Sequence, residues 1–458
     1  MKTKNSFEID MTTGSLLGKI LKFSFPLMLS AILQYAFNAI NTIVVGRFSG
    51  STALAAVGST GPLTALLVNI FIGLSVGVNV LVARYYGAKQ QKDVDDTIHT
   101  SILLSIISGI FLLIAGLIFA HPLLELMGTP PDVIEEAMIY IRIIFIGMPA
   151  SMLYNFGAAI LRAIGDTKRP LYILLVSGVF HVILSLVFVI PMKMGVAGVA
   201  LATILSQTLS AAGIIICLIR NEGDCKLNLK KLKLHKSKAL EIARIGLPAG
   251  LQTSAFSISN IIIQSSVNSF GSAFMAGNAA GGNVEGFIYF AMSAFPLAAI
   301  SFTSQNLGAG KYSRLKPALF ASLGCIAVTG ITLGLILFTF GRTLLGLYTD
   351  IPEVIEYGFI RLSIFTLFHF VGGMSDTMAA AIRGLGRSLT PMAVALTGTC
   401  AFRIVWIFTI FQAIHTPFSL YISYPITWAI TLIAHSVCYF YFYRKLPKED
   451  VKEITENS

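Results

Sequence analysis

Acidic side chains are scarce in this sequence. Asp and Glu together supply 22 of 458 residues, and all charged residues make up 12%. Soluble domains run at about a quarter charged, so a water-soluble enzyme of this length is excluded. The five cysteines, Cys217, Cys225, Cys325, Cys400 and Cys438, are odd in number and scattered. With no CxxC or Cys/His spacing, neither a disulfide framework nor a metal site is expected. The segment 1–18 lacks a short apolar stretch with a small-residue cleavage site, so the first apolar segment should remain as a membrane helix. No HExxH is present, which removes the usual signature of a membrane-embedded metalloprotease. What is abundant is apolar: 55% of residues are hydrophobic and mean hydropathy is +0.78. The chain reads as an all-α integral membrane protein.

A helix needs about 20 apolar residues to cross the hydrocarbon. Apolar runs between charged or Gly/Pro punctuation give twelve such spans, near 20–45, 61–82, 99–119, 136–161, 171–191, 195–219, 244–268, 284–304, 317–340, 354–382, 392–413 and 420–442. The net charge of +11 is a topology signal. Of 33 Lys and Arg residues, 27 fall at the termini and in the loops after even-numbered spans, which places both termini in the cytoplasm. Headgroup attraction accounts for the basic stretch 220–243, and no nucleic-acid partner is expected.

The sequence repeats itself. LLELMGTPPDVIEEA from Leu123 matches LLGLYTDIPEVIEYG from Leu344. YYGAKQ around Gly87 matches NLGAGK around Gly308, and LRAIGDTKRP ending at Pro170 matches IRGLGRSLTP ending at Pro391. The interval between the two members is identical in all three pairs. Because six is even, two six-helix halves enter the membrane in the same sense, as parallel repeats with a substrate site expected between them. The expected parts are a cytoplasmic N-terminus (1–19), an N-terminal lobe (20–219), a connector (220–243), a C-terminal lobe (244–443) and a cytoplasmic tail (444–458).

These motifs, with FPLMLSAILQYAFNAINTIVVGRFSGSTALAAVG at 25–58 and GVAGVALAT at 195–203, resemble the multidrug and toxic compound extrusion (MATE) family over nearly the whole chain. The resemblance implies a cation-coupled antiporter, two lobes around a central cleft, and export of amphipathic organic cations or drugs from the plasma membrane. No cofactor is expected beyond a coupling ion, H+ or Na+, and a monomer is expected. A lipid-linked saccharide flippase of similar architecture is the alternative. Many family members carry an Asp in helix one, in an NxxDT pattern, and an Asn and Asp four apart in helix five. Here those positions are Asn41, His181 and Ser185, while Thr203 matches. Either His181 takes up protonation in that lobe, or coupling runs through the other. Loss of both carboxylates favours the proton over sodium.

Ionised groups within a bilayer are costly, so each needs a reason. Only Glu285 and Asp376 lie clearly within spans, and both are candidates for ion coupling. Their counterparts in the first repeat, Thr64 and Asn155, are neutral. Arg403, mid-span, is expected in a structural ion pair, since an unpaired buried Arg is untenable. Arg361, near the outer end of span ten, reads as an interfacial anchor. His369 stands two turns from Asp376 on one face, as a binding or relay partner or as a packing histidine. Gln34, Asn38 and Asn41 in span one, and Gln252, Asn260 and Gln264 in span seven, form polar stripes that cannot face lipid. With Asn155, Tyr289 and Met292 they complete the candidate substrate lining. Pro26, Pro248 and Pro296 should bend their helices.

Overall fold

A computed structural model describes residues 7–127, 129–223 and 225–451. Lys2, Lys4 and Lys452, used for the topology, lie outside them. Among the described residues the regular structure is helical throughout. Twelve helical stretches correspond to the twelve expected spans: α1 Leu16–Phe48, α2 Ser51–Gly87, α3 Gln91–Leu126, and α4 as Pro131–Ile146 with Met148–Ala163. They continue with α5 Lys168–Val189, α6 Gly195–Ile219, α7 Lys236–Asn268 and α8 Ser272–Gly308. The last four are α9 Leu315–Leu345, α10 Pro352–Gly384, α11 Leu389–Ala413 and α12 Pro417–Arg444. Ten are long and apolar enough to cross a membrane, and the bent pair of α4 makes eleven. The twelfth, α7, opens with Lys236, Lys238, Glu241 and Arg244 and is rich in Ser, Asn and Gln, which dilutes its hydropathy.

The repeat is written into the turns. Left-handed backbone occurs at Gly50 (φ 92°) and Gly271 (φ 93°), at Lys89 (φ 58°) and Gly310 (φ 67°), and at Gly165 (φ 88°) and Gly386 (φ 84°). Each pair keeps the interval of the repeated motifs, so the first, second and fourth helix–helix connections of each half close through the same chain reversal. Gly165 needs its missing side chain twice: its φ disfavours a Cβ, and a Cβ there would overlap the Ile9 backbone.

The halves differ in where their helices break. α4 bends by 47° between its two segments, where Pro149 removes an N–H donor from the ladder. Its counterpart α10 runs unbroken over 33 residues. In α8 the break falls at Ser293, just before Pro296, whereas its counterpart α2 is continuous. α11 carries a π turn at Leu396–Ala401; its counterpart α5 is a plain α-helix. Pro26 and Pro248 lie inside α1 and α7, which the structure records as single helices.

The chain divides into two compact units. Unit 1 holds Met1–Ile9, Ile32–Tyr86 and Gln90–Ser254; unit 2 holds Asp10–Ala31, Gly87–Lys89 and Ala255–Ser458. The division passes through the interiors of α1 and α7. In unit 1 the start of α7 packs on α2 through glycines: a Cβ on Gly73 would overlap Gly250, and one on Gly77 would overlap Ile242. This small-xxx-small spacing lets two backbones approach closely. In unit 2 the start of α1 packs Phe23 edge-on against Phe302, 5.8 Å between centroids. The connector also belongs to unit 1. Leu227 N donates to Leu218 O (2.9 Å) and His235 N to Thr100 Oγ1 (3.1 Å), with Cys225 and Leu227 buried.

Candidate functional site

Unit 2 builds its polar interior around Arg361 of α10. Its guanidinium donates from Nε and a terminal nitrogen to Glu285 Oε2 of α8, at 3.1 and 2.9 Å. The other terminal nitrogen donates to Asn278 Oδ1 at 2.6 Å. Tyr421 of α12 donates its hydroxyl to that same oxygen at 2.9 Å, which fixes the Asn278 amide with its oxygen toward both donors. Asn278 and Glu285 are seven apart and share a helix face. Gly281 lies directly beneath the arginine stem, where a Cβ would stand 3.3 Å from Arg361 Cδ. The Phe365 ring stacks 4.6 Å from the guanidinium. Arg361 is therefore the partner of Glu285, not an interfacial anchor, because burial beside a carboxylate satisfies its charge better than snorkelling.

His369 Nδ1 lies 3.6 Å from Glu285 Oε1, beyond hydrogen-bond range. Its ring meets Trp428 (5.3 Å) and Tyr289 (6.2 Å) edge-on. The structure thus sets His369 beside Glu285, in an aromatic enclosure. Asp376 has exposed surface where Glu285 is buried, despite its position inside α10. No ion pair to Asp376 within the described residues accompanies it; Arg383, two turns on, and Tyr289 are the groups it acts on electrostatically. An exposed carboxylate inside a spanning helix must face water rather than lipid.

Arg403 has no carboxylate partner among the described residues. It donates to Thr427 Oγ1 at 2.9 Å and lies 3.9 Å above the Tyr424 ring, so a hydroxyl and a cation–π contact stand where an ion pair was expected. Met292 is 3% exposed and fills the space left by Gly330 and Gly373, a packing position in place of a lining one. Tyr289, by contrast, is 52% exposed.

Unit 1 gathers the neutral residues. Asn41 of α1 accepts from Ser185 Oγ of α5 at 3.4 Å, and His181 Nε2 lies 3.3 Å from Thr203 Oγ1 of α6. Asn41, His181 and Ser185 are buried. These four residues come together from three helices, as an amide, an imidazole and two hydroxyls without a carboxylate. Gln34 and Asn38 are exposed. Asn155 is half-buried and donates to Ser151 O of its own helix (2.8 Å). The α7 stripe is mixed: Gln252 is buried in unit 1, whereas Asn260 and Gln264 are exposed in unit 2, with Gln264 bonded to Asn268 at 2.9 Å. Sequence reasoning missed Asn278 and Tyr421. The i, i+7 spacing of Asn278 with Glu285 was the available signal.

Known proteins share both sequence and fold with this chain. It is 28% identical to "Probable multidrug resistance protein YoeA" of Bacillus subtilis, over 92% of this chain and 93% of that one. It is 26% identical to the "FAD transporter" of Shewanella oneidensis, covering 82% and 84%, and 22% identical to "Multidrug export protein MepA" of Staphylococcus aureus, covering 92% and 91%. Among solved structures, a MOP superfamily transporter from Pyrococcus furiosus superposes with a TM-score of 0.91 at 21% identity, over 97% of this chain and 100% of that one. The MatE family model matches twice, at residues 26–187 and 248–409, one copy in each half of the repeat, and the chain therefore belongs to the MatE family of multidrug and toxic compound extrusion transporters.

Proposed function

We propose that this protein is a proton-coupled multidrug antiporter of the plasma membrane, with both termini cytoplasmic, exporting amphipathic organic cations by alternating access. The observation that carries the reading is the contrast between the two membrane carboxylates. Glu285 is already neutralised by Arg361 at 2.9 Å, so changing its charge would strand a buried guanidinium. Asp376 has exposed surface and no ion pair among the described residues, so it can exchange a proton for a cationic substrate without breaking such a pair. Unit 1 offers amide, imidazole and hydroxyl groups near Asn41, a poor set for sodium, which favours several oxygens including a carboxylate. The names of the relatives support drugs as the cargo. A pyrophosphate-linked saccharide would call for cations open to water, and Arg403 is only 4% exposed.

The test is ethidium efflux from cells expressing the wild type and Asp376→Asn. Efflux that collapses with a protonophore, ignores sodium and is lost in Asp376→Asn is expected. Full efflux by the variant, or efflux that follows sodium alone, overturns the reading.

A further inference from the structure

The face of α12 away from the candidate site carries a further feature. A groove of about 710 Å³ runs along one side of the helix, lined by Leu432, Ile433, Val437, Phe440, Tyr441 and, at its C-terminal end, Arg444 and Lys445. Ile433 and Val437 are each 65% exposed, and the lining recurs at i, i+1, i+4, i+5, so it forms one continuous helical stripe. From Leu432 to Arg444 the helix rises ~18 Å, close to the ~15 Å thickness of one hydrocarbon leaflet.

Its two ends differ in chemistry. The N-terminal part of the stripe is aliphatic apart from Ser436, whose hydroxyl is bonded back to Leu432 O at 2.7 Å. At the other end Lys445 Nζ sits 4.1 Å above the Tyr441 ring and donates to the Tyr441 hydroxyl at 2.6 Å. Arg444 is exposed, with its charge uncompensated among the ion pairs of the described residues. Phe320 of α9 lies 6.5 Å from Phe440 and carries Lys316 Nζ 5.9 Å from its ring, which adds a third cation on the neighbouring helix. Of the two nearby acids, Glu449 and Asp450, the second is taken up by Ser313, whose amide and hydroxyl donate to it at 2.8 and 2.5 Å. These bonds hold the Asp450 carboxyl below its ordinary range.

We propose that this groove is a binding site for one anionic phospholipid of the leaflet on the C-terminal side. An acyl chain would lie along Leu432–Tyr441 and the phosphate between Arg444 and Lys445, with Lys316 in reach. Charge complementarity selects this occupant. A zwitterionic lipid offers the same phosphate but no net negative charge, so it gains less from a cation cluster at one end of an apolar groove, and a second copy of the chain supplies no phosphate there.

Native mass spectrometry of the detergent-solubilised protein tests this with dioleoyl phosphatidylglycerol and dioleoyl phosphatidylcholine. Retention of the phosphatidylglycerol adduct over phosphatidylcholine is expected. The exposed double variant Arg444→Ala/Lys445→Ala should lose that preference, by a factor on the order of tenfold. Val437→Trp, which fills the groove, should reduce both adducts. Equal retention of the two lipids by the wild type, unchanged preference in the double variant, or a dimer abolished by Val437→Trp would overturn the proposal.

Discussion

Unit 1 holds its buried amide of α1, Asn41, against a serine hydroxyl at 3.4 Å; unit 2 holds its buried carboxylate of α8, Glu285, against a guanidinium at 2.9 Å. The halves share three left-handed turns at matched positions, so the chain path has stayed the same while the interior chemistry has diverged. The reason lies in what each kind of group requires. A hydroxyl inside a helix can satisfy itself on the carbonyl one turn back, as Thr203 does on Val199 at 2.9 Å. A carboxylate in hydrocarbon needs a cation delivered from another element. Neutral polar residues can therefore drift independently, whereas Glu285, Arg361, Asn278 and Tyr421 stand as a set.

The largest effect should follow from breaking that set. Arg361→Ala leaves the Glu285 carboxylate buried without its donor and Asn278 with Tyr421 alone, and thermal unfolding in detergent should report a loss of about 3–5 kcal/mol. Glu285→Gln combined with Arg361→Met should recover much of it. An unchanged melting temperature in Arg361→Ala would show that the charged set does not hold unit 2 together. A smaller effect is expected from making unit 1 resemble unit 2. Asn41→Asp places a carboxylate beside Ser185 with no basic residue bonded to it, costing roughly 2 kcal/mol by the same measurement. Equal stability of this variant would mean that unit 1 already compensates a charge there. The smallest change concerns Arg403. Thr427→Val removes one hydroxyl acceptor and leaves the Tyr424 face, so about 1 kcal/mol is expected, well below the Arg361 value.

The legible parts of the fold were those encoded locally. Span positions followed from runs of apolar residues, and the repeat followed from short motifs at turns, where glycine and proline are required by the backbone itself. The cluster of Asn41, His181, Ser185 and Thr203 was legible through resemblance, and the structure brings these residues together in two hydrogen-bonded pairs. Long-range pairing was not legible. Arg361 and Glu285 lie on different helices, far apart in sequence, and depth along the membrane alone made the arginine look like an anchor. The π turn at Leu396–Ala401 adds a residue to one turn and so rotates the following helix by about 100°. That displaces Arg403 from the face that a 3.6-residue period assigns to it.

The scarcity of acids, the twelve apolar stretches and the constant interval between repeated motifs are properties of the sequence alone. They fix a membrane-spanning, two-fold repeated helical chain, because hydrocarbon admits only helices and closed barrels and apolar runs of about 20 residues suit a helix. Tertiary packing alone decided which charges meet. It gave Glu285 a partner, left Asp376 without an ion pair among the described residues and turned Met292 inward, because partners in a helical bundle come from neighbouring helices rather than from neighbouring residues.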